Sequence, residues 1–179
     1  NSGLRPISDD QRQIAQHQVE NYFHQNQDRM SQVIETEVDV SVEKEKYILV
    51  GRIDLLLGED NRLELLDFKA QPRPSQNARW LATYQQQLLV YAHILEQRYG
   101  KRPDRLALYW TGEDTRDKAL MYFPYELGKV DQAGAYFDQV AQQILKRDFS
   151  VKQKPERKTC SECDFRNYCI RQGTIELVL

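Results

Sequence analysis

GRIDLLLGEDNRLELLDFK, residues 51–69, is the stretch whose reading decides the fold. An apolar run from Tyr47 to Leu57 meets Gly58-Glu59-Asp60-Asn61, and a second run follows from Leu63 to Phe68. Two short strand-forming runs joined by turn residues predict a β-hairpin. Asp54 and Asp67 sit inside these runs. A carboxylate among apolar strand residues is informative, because burying it alone is costly. Strand side chains alternate faces, so Asp67 and Lys69 share one. With residues 58–61 as the turn, Leu57 faces Arg62 and Asp54 faces Leu65, which makes Asp67 the diagonal neighbour of Asp54. Such neighbours lie roughly 7–8 Å apart, and two carboxylates at that spacing can share one divalent cation. Lys69 brings an ammonium to the same rim. A metal polarises a phosphoryl oxygen and acidifies a bound water. A lysine beside it positions that water or stabilises developing negative charge. The plainer alternative is an Asp67–Lys69 surface pair; three such residues on one face favour the site.

The flanking chain alternates helix and strand. Residues 8–26 predict a helix with Ser8, Asp9 or Asp10 as its cap, and Ile14, His17, Val19, Tyr22 and Phe23 recur at helical spacing. Residues 33–42 predict a strand with Val38, Val40 and Val42 on one face and Glu35, Glu37 and Asp39 on the other. Pro72 and Pro74 stop the strand after Lys69. A helix over 77–99 carries Trp80, Tyr84, Leu88, Tyr91 and Leu95 as an apolar stripe. Gln87 and Tyr91, one turn apart on it, can jointly hydrogen-bond a phosphate, a carboxylate or Lys69. Strands over 104–111 and 119–125, joined by a polar loop, and a helix over 129–147 complete the order.

Gly51-Arg52-Ile53-Asp54 followed by Leu66-Asp67-Phe68-Lys69 resembles the PD-(D/E)XK nuclease superfamily. Gln87-Leu88-Leu89-Val90-Tyr91 matches the QxxxY element of its RecB-like branch, which includes AddB-type, CRISPR-associated and helicase-fused nucleases. The resemblance implies an α/β, restriction-endonuclease-like core, a mixed β-sheet flanked by helices. It implies Asp54, Asp67, Lys69, Gln87 and Tyr91 as catalytic residues. It implies His17, Asp54, Asp67 and the Phe68 carbonyl as ligands of Mg²⁺ or Mn²⁺, with imidazole favouring Mn²⁺. It also places a glutamate near the metal, here Glu35 or Glu37.

The chain's three cysteines, Cys160, Cys163 and Cys169, lie within ten residues. A C-x2-C-x5-C spacing points to a metal or cluster rather than to a disulfide, which would leave one thiol over. The spacing resembles the C-terminal triplet of the iron–sulfur members of the RecB-like branch. There a fourth cysteine near the N-terminus completes a four-iron cluster; this sequence has no cysteine before Cys160. Zinc is the alternative occupant.

The chain has 179 residues, 40% hydrophobic and 29% charged, which suits a domain with a real core. No apolar run reaches the ~20 residues of a membrane helix. Net charge is −2, yet residues 146–179 hold eight basic against five acidic side chains, a local phosphate-contacting edge. The sequence lacks the GxxxxGK[ST] loop of an ATPase and the GxSxG of a serine hydrolase. These features predict a nuclease core over 1–149 with a cysteine-rich tail over 150–179 packed on it, as a piece of a longer cytoplasmic protein. The expected activity is a Mg²⁺- or Mn²⁺-dependent deoxyribonuclease acting on single-stranded DNA or DNA ends, with a repair helicase as partner. The alternative is an inactive nuclease-fold DNA-binding module stapled by an iron–sulfur cluster or zinc. A third reading, fold resemblance alone with a zinc-bound tail for protein contacts, ranks lowest.

Overall fold

Ser8 starts the first helix with a reciprocal cap. Gln11 N donates to Ser8 Oγ at 3.2 Å, and Ser8 N donates to Gln11 Oε1 at 3.1 Å. In the computed structural model, which describes residues 7–59, 61–148, 157–161 and 163–164, helix α1 runs Asp9–Asn26. A 3-10 turn over Gln27–Gln32 leads into β1, Val33–Glu43, and β2, Ile48–Glu59. Then come β3, Arg62–Lys69, α2, Leu81–Tyr99, and β4, Arg105–Trp110. A short α3, Arg116–Ala119, precedes β5, Leu120–Phe123, and α4, Leu127–Leu145. The last described helix is α5, Arg157–Ser161.

The five strands form one sheet in the order β1-β2-β3-β4-β5. All neighbours are antiparallel except β3 and β4, which run parallel. A parallel pair needs a long crossover, and α2 supplies it. The sheet is therefore mixed and helix-flanked, the α/β core expected from the sequence.

Each face of the sheet has its own core. Under α2 and α4 lie Leu65, Leu88, Ile94, Leu106, Trp110, Val130 and Ala133. The opposite face packs Leu55, Leu57, Leu66 and Tyr109 against Tyr22 of α1. The helix-spaced Ile14, Val19 and Phe23 do not join Tyr22; they are exposed. Helix α1 docks through amides instead. Asn21 Nδ2 donates to Glu113 O at 3.1 Å, Gln25 Nε2 to Asp114 O at 2.6 Å, and Asn26 Nδ2 to the Tyr109 hydroxyl at 3.0 Å.

The hairpin turn is tighter than the sequence predicts. Gly58 pairs with Leu63 and Glu59 with Arg62, so both lie in the ladder and Asn61 lies in the turn. Asn61 takes the left-handed conformation there, at φ 63°. Gly58 reads as a turn residue but serves inside the strand, where Ile34 Cδ1 lies 2.6 Å from the position a Cβ would take.

The described residues divide into two units, with the boundary between Gln139 and Val140 inside α4. Among the described residues, no helix is long and apolar enough to cross a membrane.

Candidate active site

The strands β2 and β3 pair only as far as Leu55↔Leu66. Beyond that they part, while β3 continues beside β4 to Lys69↔Trp110. Asp54 bridges the opening: Phe68 N donates to Asp54 Oδ2 at 2.7 Å. A side chain thus accepts the bond that a backbone carbonyl would take in a continued ladder. The N–H and carbonyl of one strand residue face the same neighbour, so the Phe68 carbonyl also lies on the Asp54 side.

Side-chain alternation slips at the same point. Leu49 and Ile53 lie in the core under α2, whereas Leu55 and Leu57, two and four residues on, lie in the core under α1. Strand β1 matches the slip. Thr36 pairs with Leu55 and Val38 with Ile53, while Glu37 between them is out of the ladder at φ 52°. A left-handed non-glycine residue costs about 1–3 kcal/mol and tends to mark functional sites.

Continued one step past Leu55↔Leu66, the hairpin register sets Asp54 opposite Asp67 rather than diagonal to it. Asp67 is 3% exposed. Gln87 Nε2, from α2, donates to Asp67 Oδ1 at 3.1 Å and to the Tyr91 hydroxyl at 2.8 Å. Lys69 Nζ donates to Gln87 Oε1 at 3.0 Å and lies 4.2 Å above the Tyr84 ring. It also pairs with Asp67 Oδ2 at 2.5 Å. Burial pushes the Asp67 carboxyl above its ordinary value, Lys69 pulls it back in part, and Asp54 adds to the rise. Burial likewise raises the Tyr91 phenol, with Asp67 and Asp54 contributing.

This constellation depends on Gly51. A Cβ there would stand 2.7 Å from Tyr91 Cε1. The first residue of the Gly-Arg-Ile-Asp run is therefore the gap into which the Tyr91 ring fits. Tyr84 is a member of the site that the sequence reading left in the apolar stripe. Its signal was its spacing, three residues before Gln87 and seven before Tyr91 on one helix face.

The donor set fits a hard divalent cation. Two carboxylates and a backbone carbonyl are oxygen ligands of the kind Mg²⁺ and Mn²⁺ take. Asp67, buried beside Lys69, and Asp54 are the carboxylates that would hold such an ion. The structure does not bring His17 to these acids. It is exposed on α1, beside Thr111 to Asp114. Among the described residues, no three of His, Cys, Asp or Glu gather closely enough to hold a metal. The amide docking of α1 turns Gln18 and Tyr22 inward and leaves His17 outside. Glu35 and Glu37 are exposed as well, and Glu37 lies 3.9 Å from Arg52. Cys160 is a half-buried free thiol and Cys163 an exposed one. Cys169 lies outside the described residues.

Known structures share the fold. The crystal structure of SSO0001 is 18% identical with a TM-score of 0.55, covering 87% of this chain and 67% of that one. A Eubacterium rectale protein named as a candidate exonuclease is 15% identical with a TM-score of 0.52, covering 90% of this chain and 61% of that one. The chain thus spans about two thirds of the length of these neighbours. No curated protein matches it. The PD-(D/E)XK nuclease superfamily profile matches residues 3–170, nearly the whole sequence and all of the site described above. On that match, with the mixed sheet and the Asp54, Asp67 and Lys69 grouping behind it, the chain belongs to the PD-(D/E)XK nuclease superfamily.

Proposed function

We propose that this chain is a Mg²⁺- or Mn²⁺-dependent deoxyribonuclease whose metal is held by Asp54, Asp67 and the Phe68 carbonyl. The observation that carries the reading is the buried Asp67, opposite Asp54 in the register of the hairpin and paired through Oδ2 with Lys69. When bound, the metal supplies Lewis acidity to the phosphoryl oxygen and a more acidic water. Asp54 and Asp67 provide the negative charge that binds it. Lys69 is held by Gln87 and the Tyr84 ring with its ammonium at the acids, where it stabilises negative charge developing on the phosphate. Gln87 fixes three partners at once, Asp67, Lys69 and Tyr91, so it positions rather than reacts. His17 is left out of the ligand set because α1 holds it on its exposed side.

Single-stranded DNA or DNA ends are the proposed substrate, in a protein of the RecB-like branch that works beside a helicase in DNA repair. The cysteine triplet supports a structural iron–sulfur cluster in the tail, with zinc as the alternative. An inactive binding module is the second reading, and the complete Asp54, Asp67 and Lys69 set stands against it. Labelled single-stranded DNA with Mn²⁺ decides between them. Asp54→Ala and Asp67→Asn are expected to abolish cleavage while retaining the fold, and wild-type rates in either would sink the assignment.

A further inference from the structure

Beside the acids, α2 presents an unusual run of aromatic rings. Trp80, at the N-terminus of the helix, is 45% exposed. It is not loose: its ring meets Tyr84 edge-on at 5.5 Å and the buried Trp110 at 5.9 Å. Tyr84 in turn lies under Lys69 Nζ. Tyr84, Gln87 and Tyr91 also line a groove of ≈ 980 Å³, walled further by Val50, Gly51 and Tyr136. Tyr136 is 54% exposed and packs edge-on against Phe137 at 5.6 Å. Gln87 and Tyr91 belong both to the groove and to the acid site.

The chemistry of this surface selects its occupant. Its walls are aromatic faces, aliphatic side chains and amides. Lys129 is the cation among the lining residues, and Glu126 already pairs with it at 2.7 Å. A duplex offers phosphates on the outside and hides its base faces, so such a wall gives it little to hold. A single strand offers exposed base faces, which stack on aromatic rings whatever the sequence. We propose that Trp80 and this groove form a stacking track for single-stranded DNA, with one base on Trp80 and the strand crossing the acids toward Tyr136. The assignment rests on the deoxyribonuclease reading and names the strand form that the site takes.

The test uses the full chain without metal, in chelator, so that binding is read apart from cleavage. Trp110 is fully buried, so Trp80 is the exposed indole, and a base stacked on it quenches its emission. A twelve-nucleotide oligo(dT) is expected to quench wild-type fluorescence, and Trp80→Phe, which keeps an aromatic face, to bind nearly as well without that quench. Trp80→Ala is expected to weaken binding about tenfold, the usual loss for one stacked base. Tyr136→Ala, at an exposed position, gives the same reading if Trp80→Ala folds poorly. Binding without quenching, unchanged affinity in both alanine variants, or equal affinity for a duplex of the same length overturns the track. Mn²⁺-dependent cleavage measured on the same preparations separates the two proposals. Cleavage with binding indifferent to Trp80 and Tyr136 removes the track and leaves the nuclease. Quenching and alanine losses without any cleavage remove the nuclease and leave the track.

Discussion

Gly51 and Asp67 show how single residues set this site. Adding one methyl at Gly51 would drive the Tyr91 ring from its place, since 2.7 Å leaves no room for both. Gly51→Ala is expected to reduce cleavage at least tenfold through the loss of Gln87 alignment, against about 1–3 kcal/mol of stability for overpacking. Parallel measurement of kcat and thermal midpoint checks this; a stability loss with normal kcat would make Gly51 a packing residue only. Asp67 yields a pH prediction. Its folded pKa is raised, chiefly by burial, so in the metal-free chain its contribution to stability is full below the ordinary aspartate pKa. That contribution is lost as pH rises through the raised value. A divalent ion needs the carboxylate, so metal affinity falls on acidification at a pH above the usual aspartate range. Titration of Mn²⁺ binding against pH checks the direction, and Asp67→Asn is expected to abolish the dependence. The acids, Lys69 and the Gln87–Tyr91 pair were legible because fixed spacing on a strand or helix puts them on one face. For His17, helical spacing does not say which face of α1 docks; amides hold the helix and leave His17 exposed.

At the scale of elements, the β1–β2 hairpin is tied to α4 by one strong bond. The Tyr47 hydroxyl donates to Asp138 Oδ1 at 2.6 Å. Burial first, then the Asp138 carboxylate, pushes the phenol up to about 12. A raised pKa means that its stabilising contribution is complete below the ordinary tyrosine value of about 10 and is lost as pH climbs toward the folded one. Wild type is therefore expected to lose stability across that window faster than Tyr47→Phe. At neutral pH the variant is expected to be less stable by about 1 kcal/mol, the usual worth of a hydrogen bond. Denaturant midpoints at neutral and alkaline pH measure both. The order of elements was readable from periodicity and from the prolines after Lys69. The hairpin register was not, because Gly58 has two readings: a turn residue by type, a strand residue by its contact with Ile34. The amide docking of α1 was equally hidden, since apolar spacing carries no record of which glutamines and asparagines find carbonyls.

For the molecule as a whole, the two metal chemistries are expected to be separable. The acids and the cysteines are far apart in sequence and use different donors, hard oxygen against soft sulfur. Elemental analysis after anaerobic purification is expected to find iron, and Cys160→Ser to lose it. Zinc without iron would overturn the cluster assignment and leave the acid site untouched. The converse experiment, Asp67→Asn, is expected to leave the iron content unchanged. A net charge of −2 does not by itself advertise nucleic-acid binding; the basic residues of 146–179 are the sequence feature that suits phosphate.

The slip at Asp54 resembles a dislocation in a crystal, a line where a regular repeat is offset and cannot heal locally. Glu37 carries the matching fault in the adjoining strand. A designer who idealised this sheet would remove both, restoring strict alternation from Leu49 to Leu57. The repaired strand would pair with β3 beyond Leu55↔Leu66. Phe68 N and its carbonyl would then be taken up by backbone, closing the opening that the Asp54 carboxylate bridges. The more perfect sheet would be the one without a site.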